Sequence, residues 1–359
     1  MKMKKILAAI LSVAVLLSVG CFAVSAEENA AVSVSAGYDA LMAQFEKGKG
    51  PETNGYSLDY RYYSPEKEND DTKYPLVIWL HGMGEGASEG KQIEKNDVAY
   101  WSSAEFQSRF SGAEGAYILV PRSLEEKSIF WDDTMILPLR ATIDAFIAEN
   151  SENIDLSRIY IGGFSMGGKM TLKMAIAYPE MFAAIFPICP AWNPSEELVE
   201  YIADIPVWLT SGKGDFIVNY NSSVVPTWNK IVSANNNPEL CRFSTLSTVR
   251  YADGSIAISA HYAWFAVSHD MFSDKNGDYP DMTTVNGLGE KVVLTYPDGM
   301  ISWLSQFTSD FDGTPATDTG NIDIENGSSG FFSLETLEYF LTPLIDFFKK
   351  VVDILKQIF

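Results

Sequence analysis

The sequence predicts an α/β fold in which helices cover both faces of a mostly parallel central sheet. From about residue 56 onward, short apolar runs alternate with longer stretches that have helical spacing. Runs such as YPLVIWLHG are apolar throughout and end in glycine, which is typical of a strand buried on both faces. Strands that alternate with helices favour parallel pairing, because the chain must cross over between them. The 359 residues, 47% of them hydrophobic, are enough for such a core.

The predicted elements follow one another in a regular order. YSLDYRYYSP alternates with period two and predicts an early antiparallel strand. Buried strands are predicted in YPLVIWLHG, GAYILVP, RIYIGGFS, MFAAIFPICP, IPVWLTSG and CRFSTLSTVRY. Helices are predicted in TMILPLRATIDAFIAEN, GGKMTLKMAIAYP, PTWNKIVSANN and PDGMISWLSQF. Together these segments define a predicted domain at residues 37–307.

The first 26 residues have the pattern of a secretory signal peptide. A basic start, MKMKK, is followed by the apolar stretch ILAAILSVAVLLSVG and by the small residues VSA before Glu27. The apolar stretch is short and no stop-transfer cluster of charges follows it, so a membrane span is not predicted. We therefore expect the protein to be secreted. Lipid attachment at Cys21 is the alternative, because LLSVGC loosely resembles a lipoprotein processing site.

The composition changes after Phe307. Residues 308–330 are rich in Asp, Gly, Thr and Ser, and they predict a flexible linker. Residues 331–359 predict an amphipathic helix. Its apolar residues recur at alternating steps of three and four: Leu334, Leu337, Leu341, Leu344, Phe348, Val351, Leu355 and Ile358. This C-terminal helix is expected either to fold back on the domain or to mediate self-association or attachment to a membrane or cell surface.

Charge and cysteine content narrow the function further. The net charge is −21, and no basic cluster is present to neutralise phosphates, which argues against nucleic acid as a partner. Beyond the signal peptide only two cysteines remain, Cys189 at the end of one predicted strand and Cys241 at the start of another. Parallel strands would hold these ends too far apart for a disulfide, so two buried thiols are expected. No Cys/His spacing indicates a metal site, and no cofactor is predicted.

The motif GFSMG places Ser165 between a strand-like run, RIYIG, and a helix-like run, GGKMTLKMAIAYP. A nucleophile elbow needs this context, because its serine lies in a strained turn from strand to helix. Gly163 and Gly167 would leave room for the close backbone packing of such a turn. The N-terminus of the helix would then face a developing oxyanion. The sequence therefore predicts that Ser165 is a nucleophile rather than an idle serine in a glycine-rich turn.

The remaining parts of such a site are predicted from the residues that follow other strands. HGMG follows a buried strand, so the N–H of Met83 is the predicted oxyanion donor beside that of Met166. The acid is predicted to be Asp215, which follows IPVWLTSG and would fix the tautomer of the base. His81 precedes Ser165, whereas sites of this kind have the order serine, acid, histidine. His81 is therefore expected to be structural.

Two histidines are candidates for the general base. His261 and His269 both lie in SAHYAWFAVSHDMF, after the last predicted buried strand, as the order requires. Their spacing alone does not choose between them.

The chain also resembles a known group of proteins. YPLVIWLHGMGEG, LVPRSLEEKSIFWDD, IDLSRIYIGGFSMGG and IPVWLTSGKGD resemble, in this order, segments of secreted α/β-hydrolase esterases. The resemblance covers about 250 residues and is to the branch often labelled predicted peptidase or prolyl-oligopeptidase-like, related to polyhydroxybutyrate depolymerases and feruloyl esterases. It implies the α/β-hydrolase fold. It also implies that His261 is the base, because AHYAW resembles the family's G-H-x-x-W with Ala260 in place of the glycine; His269 is the alternative.

The predicted function is that of a secreted serine carboxylesterase that forms an acyl-enzyme through Ser165, His261 and Asp215. Secretion and the resemblance imply an ester substrate that is either borne on a polysaccharide or small and soluble. Trp131 and Trp192 are expected to contact it, because an indole ring can stack on a sugar or an aromatic acyl group. Two alternatives are a serine peptidase of the same fold and a non-catalytic surface-binding protein on a hydrolase scaffold.

Overall fold

The computed structural model describes residues 36–316, except 68, 70, 128, 129, 252, 253, 275, 276, 279 and 280, together with residues 318 and 327–329. The predicted signal peptide and the predicted C-terminal helix lie outside the described residues. The chain divides into two compact units between Gln44 and Phe45. The described part of the first unit contains helix α1 (Ala36–Met42). The second unit contains the sheet and the candidate site.

Nine strands of the described chain form the central sheet of the second unit. They are β1 (Glu46–Lys49), β2 (Asp59–Tyr63), β3 (Tyr74–Leu80), β4 (Tyr117–Pro121), β5 (Ile154–Phe164), β6 (Ala184–Ile188), β8 (Trp208–Gly212), β9 (Arg242–Leu246) and β12 (Met282–Asn286). Four short strands form two antiparallel ribbons: β7 (Trp192–Pro194) with β13 (Gly327–Ser329), and β10 (Ser273–Asp274) with β11 (Gly277–Asp278).

The strands of the central sheet are arranged in the order β1-β2-β4-β3-β5-β6-β8-β9-β12. The inner strands from β4 to β9 pair in parallel, whereas β1, β2 and β12 pair antiparallel. Every residue of β3, β4, β6 and β8 is buried, so both faces of the inner sheet are covered. This mostly parallel, covered sheet confirms the predicted fold class.

The α-helices among the described residues of the second unit are α2 (Lys91–Glu94), α3 (Ala104–Gln107), α4 (Ile136–Glu149), α5 (Met166–Ala177), α6 (Glu196–Val199), α7 (Val225–Ala234), α8 (Trp264–Ser268) and α9 (Met300–Leu304). The longest, α4 and α5, arise from predicted helical segments, as do α7 and α9. Within the described part of the chain, no helix combines the length and apolar character that a membrane span requires.

Two edge strands of the sheet lie where the sequence patterns predict none. In β1, whose sequence is EKGK, three of four residues are exposed. In β12, whose sequence is MTTVN, only the middle residue is buried. Edge strands need little apolar surface, because they are covered incompletely and pair through their backbone on one side. Their existence is decided by the neighbouring strand rather than by their own side chains.

The predicted linker is wrong in part, because residues 308–316 pack on the domain. The side chain of Phe311 is only 6% exposed. The guanidinium group of Arg140 lies 5.3 Å from the centre of the Phe311 ring, and its Nη2 donates to the Thr314 carbonyl at 2.8 Å. A buried arginine and a buried ring therefore hold a segment whose composition favours flexibility.

The two cysteines of the domain are buried and free, as predicted. Cys189 follows β6 and Cys241 precedes β9, and β8 lies between these two strands in the sheet. This separation keeps the two thiols apart.

Candidate active site

Ser165 occupies the turn between β5 and α5. Its backbone has φ 58° and ψ −110°, a conformation that is uncommon for a residue with a side chain. The Ser165 N–H donates to the Ile188 carbonyl at 2.8 Å, and the Ala191 N–H donates to the Ser165 carbonyl at 3.0 Å. The end of the neighbouring strand β6 therefore holds the turn. The predicted arrangement of strand, turn and helix is present.

Two glycines of the motif allow the close approach that this turn requires. A Cβ atom at Gly163 would lie 2.5 Å from the Leu80 carbonyl oxygen, and one at Gly167 would lie 1.9 Å from it. Either side chain would collide with backbone at the end of β3. The prediction that these glycines serve close backbone packing is confirmed.

Ser165, His261 and Asp215 lie together at the carboxyl edge of the sheet. The His261 Nε2 atom is 3.0 Å from the Ser165 Oγ, and the His261 Nδ1 atom is 2.7 Å from the Asp215 Oδ2. All three residues are buried. When Nδ1 carries the proton and donates a hydrogen bond to the carboxylate, Nε2 is free to accept a hydrogen bond from the serine hydroxyl. This arrangement is able to turn a serine hydroxyl into a nucleophile.

A tight turn after β8 fixes the orientation of Asp215. Its Oδ1 accepts hydrogen bonds from the N–H groups of Ile217 at 2.9 Å and Val218 at 3.0 Å. The other oxygen, Oδ2, is left to face His261. The backbone therefore decides which carboxylate oxygen meets the imidazole.

His261 lies in a single helical turn, Ala260–Ala263, directly before α8. Its N–H donates to the Ser259 Oγ at 3.1 Å. Its ring packs on the ring of Phe164, with 4.7 Å between the centroids. Because Phe164 directly precedes Ser165, the segment that carries the serine also supports the ring of the base.

His269 makes a different set of contacts. Its Nε2 lies 3.0 Å from the Asp97 Oδ2, and its ring packs against Tyr100 and Phe265. The structure therefore brings His261, and not His269, to Ser165.

His81 lies buried beneath the loop that follows β3. Its Nδ1 lies 2.7 Å from the Gly82 carbonyl, and its Nε2 accepts the Ser123 N–H at 3.1 Å. Burial lowers the pKa of His81 to about 4, so the ring is neutral near pH 7. Both ring nitrogens are used to hold backbone, which agrees with the structural role expected from the sequence.

The two predicted oxyanion donors follow neighbouring strands of the sheet. Met166 is the first residue of α5, and Met83 lies in the loop after β3. Because β3 and β5 are parallel neighbours with Leu80 paired to Gly163, both N–H groups follow the same edge of the sheet. Neither N–H group has an acceptor among the described residues. Both N–H groups are therefore left without a partner in the described part of the protein, as the prediction of two oxyanion donors requires.

The prediction that Trp131 and Trp192 contact substrate is wrong. Their side chains are 1% and 3% exposed, and both belong to the hydrophobic core. The Trp131 indole N–H donates to the His81 carbonyl at 3.0 Å, and the Lys173 ammonium lies 4.5 Å from the centre of the Trp192 ring. Neither ring presents a face on which a sugar or an acyl group could stack.

Sequence reasoning missed two glutamates that hold the loop after β3. Glu85 Oε2 accepts the Gly82 N–H at 2.6 Å. Glu125 accepts the N–H groups of Gly84 at 2.9 Å and Gly86 at 3.1 Å. The signal was available in part, because a glycine-rich loop exposes N–H groups that need acceptors. Glu125 lies in LVPRSLEEKSIFWDD, far along the chain from this loop.

Cys189, Asp215 and His261 form a cluster whose potential metal-ligating atoms lie within 4.8 Å of one another. The hydrogen bond between His261 Nδ1 and Asp215 Oδ2 already uses one atom of each of these two residues. Burial raises the pKa of the Cys189 thiol, which keeps it protonated and a poor metal ligand. The acid–base pair explains the cluster without an ion.

Comparison with known proteins places the chain among hydrolases. A family model described as phospholipase/carboxylesterase matches residues 66–248, which is half of the chain and includes Ser165 and Asp215. A poly(3-hydroxybutyrate) depolymerase of Ralstonia pickettii is 27% identical over 146 residues, 37% of this chain. The chain spans only 29% of the length of that relative.

A thermostable esterase of known structure has a similar fold. The match has a TM-score of 0.55 at 23% identity and covers 75% of this chain and 64% of the esterase. It supports the α/β-hydrolase fold, and the comparisons together confirm the resemblance to esterases and polyhydroxybutyrate depolymerases. Because the family model matches half of the chain, this protein belongs to the phospholipase/carboxylesterase family of α/β hydrolases.

Proposed function

We propose that this chain is a secreted serine carboxylesterase. The observation that carries the proposal is the continuous contact from Ser165 Oγ to His261 Nε2 at 3.0 Å and from His261 Nδ1 to Asp215 Oδ2 at 2.7 Å. Family membership supports hydrolysis of a carboxylic ester. The composition of residues 1–26 supports secretion.

The reaction follows from the roles of these atoms. His261 Nε2 removes the hydroxyl proton as Ser165 Oγ attacks the ester carbonyl, and the imidazolium then gives that proton to the leaving alcohol. Water that His261 deprotonates then attacks the acyl-enzyme. The imidazolium returns the proton to Ser165 Oγ as the acyl–oxygen bond breaks and the acid is released. Asp215 accepts the hydrogen bond from Nδ1–H throughout and stabilises the imidazolium without becoming protonated.

The N–H groups of Met83 and Met166 would hold the oxyanion of each tetrahedral intermediate. The loss of one such donor typically costs about 100- to 1,000-fold in rate. The Met166 donor belongs to the N-terminus of α5, where the helix dipole adds positive potential. The two donors thus come from two independent elements, a loop and a helix.

The proposed substrate is a small soluble ester or an ester borne on a polymer such as a polysaccharide. Two exposed apolar side chains adjoin the machinery: Met83, which is 44% exposed, and Phe216, which is 52% exposed and directly follows Asp215. They offer apolar surface for the acyl or alcohol part of such a substrate.

Labelling with a fluorophosphonate, followed by peptide mapping, tests the proposal on the wild type and on His261→Ala and His269→Ala. We expect modification at Ser165 in the wild type and in His269→Ala, and its loss in His261→Ala. Loss only in His269→Ala would overturn the assignment of the base. Absence of labelling in the folded wild type would favour a non-catalytic binding protein.

A panel of p-nitrophenyl esters and peptide p-nitroanilides then separates an esterase from a peptidase. We expect turnover of the esters and little turnover of the anilides. Preferential cleavage of the anilides would favour the serine peptidase instead.

A further inference from the structure

The loop of residues 81–86, which carries the Met83 donor, is anchored through its carbonyl groups. Three of its carbonyl oxygens accept hydrogen bonds from side chains. The His81 carbonyl accepts from the Trp131 indole at 3.0 Å, and the Gly82 carbonyl accepts from the His81 ring at 2.7 Å. The Gly86 carbonyl accepts from the Arg122 guanidinium at 3.1 Å. The donors are buried, so water does not compete for these bonds.

The N–H groups of the same loop are divided between two glutamates. Glu85 accepts the Gly82 N–H at 2.6 Å with one oxygen and the Asn96 amide at 3.0 Å with the other. Glu125 uses both of its oxygens, accepting Gly84 at 2.9 Å and Gly86 at 3.1 Å. The N–H of Met83, which lies between Gly82 and Gly84, has no acceptor among the described residues.

This division matters because the loop has little conformational preference of its own. Gly82, Gly84 and Gly86 can each adopt many backbone conformations, and the N–H groups of a free loop would rotate to water. Stabilisation of an oxyanion depends on donors that are fixed before the reaction. Carboxylates that accept the N–H groups of Gly82 and Gly84 would fix the peptide planes on both sides of Met83.

We propose that Glu125, together with Glu85, is a positioning residue that holds the Met83 N–H available to the substrate oxyanion. The inference rests on the proposed function. Glu125 does not touch the substrate; it acts through the Gly84 and Gly86 peptides, on the side of Met83 that leads away from the strand. Glu85 and the Gly82 peptide hold the opposite side.

Holding two glutamates around this loop costs folding stability. Such a cost is expected where residues serve a function rather than the packing of the fold. The pKa of Glu85 is raised to about 7, mainly by burial and to a smaller extent by the negative charge of Glu125, while hydrogen bonds from Gly82 and Asn96 and the charge of Lys95 lower it. Two carboxylates are thus kept close together around one short loop although they repel each other.

The test compares Glu125→Ala and Glu125→Gln with the wild type, using kcat per active site titrated with fluorophosphonate. We expect Glu125→Ala to lower kcat by about 10- to 100-fold, with KM changed by less than about threefold, because a misplaced donor is lost mainly from the transition state. The kcat of Glu125→Gln should lie between those of the wild type and Glu125→Ala, since the single carbonyl oxygen of the glutamine can keep one of the two hydrogen bonds. Affinity for a trifluoromethyl ketone, which forms a tetrahedral adduct with the serine, should fall in parallel with kcat/KM.

Asp155→Asn is the matched control. Asp155 is also a carboxylate that accepts a backbone N–H, that of Ser157 at 3.1 Å, but it lies at the start of β5, at the opposite end from Ser165. This variant should lower the melting temperature and leave kcat per titrated site unchanged.

An unchanged kcat per titrated site in Glu125→Ala, within twofold of the wild type, would overturn the proposal and leave Glu125 as a merely structural residue. If too little Glu125→Ala folds to be titrated, Glu125→Gln decides: a loss of about threefold or more supports the proposal, and equal turnover overturns it. The proposed function fails separately, when the wild type is not labelled at Ser165.

Discussion

The carboxylate of Asp215 meets the imidazole of His261 through one oxygen only. The Oδ2 atom lies 2.7 Å from Nδ1, while Oδ1 is occupied by the N–H groups of Ile217 and Val218. An isolated carboxylate could present either oxygen. Here the backbone of a turn after β8 removes that choice. Two peptide groups set which oxygen faces the base, and the carboxylate sets the tautomer because it can only accept.

Replacement of Asp215 by Asn is therefore expected to reverse the tautomer of His261. The amide oxygen would replace Oδ1 against the two backbone N–H groups, and the amide nitrogen would then face Nδ1 as a donor. Nδ1 would have to accept, Nε2 would carry the proton, and the ring could no longer deprotonate Ser165. We expect kcat/KM for an ester substrate to fall by about 10,000-fold, with the melting temperature nearly unchanged.

Asp97→Asn is the control for this substitution, because Asp97 also pairs with a histidine, the Nε2 atom of His269 at 3.0 Å, and this histidine is not the one that faces Ser165. It should keep the wild-type rate. A loss of less than about tenfold in Asp215→Asn would contradict the role proposed for the tautomer.

The inner sheet could be predicted because burial on both faces leaves a direct trace in the sequence. Every residue of YPLVIWL is buried in β3, and a run of this kind has few alternatives. The edge strands β1 and β12 leave no such trace, since they pair mainly through backbone groups. Phe311 shows the converse: it is buried within a polar segment, and the average composition of that segment hides it.

The candidate site was predictable only as far as it depends on the ends of strands. Ser165 and Asp215 directly follow buried strands, and parallel strands bring such ends to one edge. His261 and His269 follow the same strand, so only the path of the chain separates them. Trp131 and Trp192 were misjudged because the burial of an indole ring depends on contacts distant in sequence. The pairing of Glu125 with Gly84 and Gly86 spans 41 and 39 residues and escapes local patterns.

The loop after β3 should give the protein a measurable dependence of stability on pH. The pKa of His81 falls from an ordinary value of 6.5 to about 4 on folding. Between pH 6.5 and pH 4 the unfolded chain therefore binds a proton that the folded protein does not, and stability falls as the pH falls. The pKa difference corresponds to a loss of at most about 3 kcal/mol, complete below about pH 4.

Glu85 acts in the opposite direction over an overlapping range. Its pKa rises from 4.5 to about 7 on folding, so between these values the folded protein holds the additional proton and stability rises as the pH falls. Glu85→Gln should remove this gain and make the acid destabilisation steeper, whereas His81→Gln should make it shallower. Urea unfolding from pH 4.5 to pH 7.5 measures both, and slopes equal to that of the wild type would contradict the assignment.

The two thiols of the domain should be inert in the folded protein. Cys189 and Cys241 are fully buried, and burial raises the pKa of both, that of Cys241 to about 11. Because the thiolate is the reactive form, neither should react with Ellman's reagent at pH 8 in a chain that lacks residues 1–26. Both should react in denaturant. Reaction of a thiol with the reagent in the native protein would contradict the burial of these cysteines. Fewer than two reactive thiols after unfolding without reductant would contradict their free state.

The packing of residues 308–316 predicts that this segment contributes to the stability of the domain. Phe311 is 6% exposed and shares the Arg140 guanidinium with the ring of Tyr178, whose centre lies 4.6 Å from it. Phe311→Ala would open a cavity beside this arginine and is expected to cost about 3 kcal/mol of unfolding free energy. The rate of ester hydrolysis should not change, since the contacts of Arg140 lie away from Ser165. Asp310→Ala, at an exposed neighbouring position, is the control and should have little effect in urea unfolding. If Phe311→Ala were as stable as that control, the segment would be a passive linker, as its composition suggests.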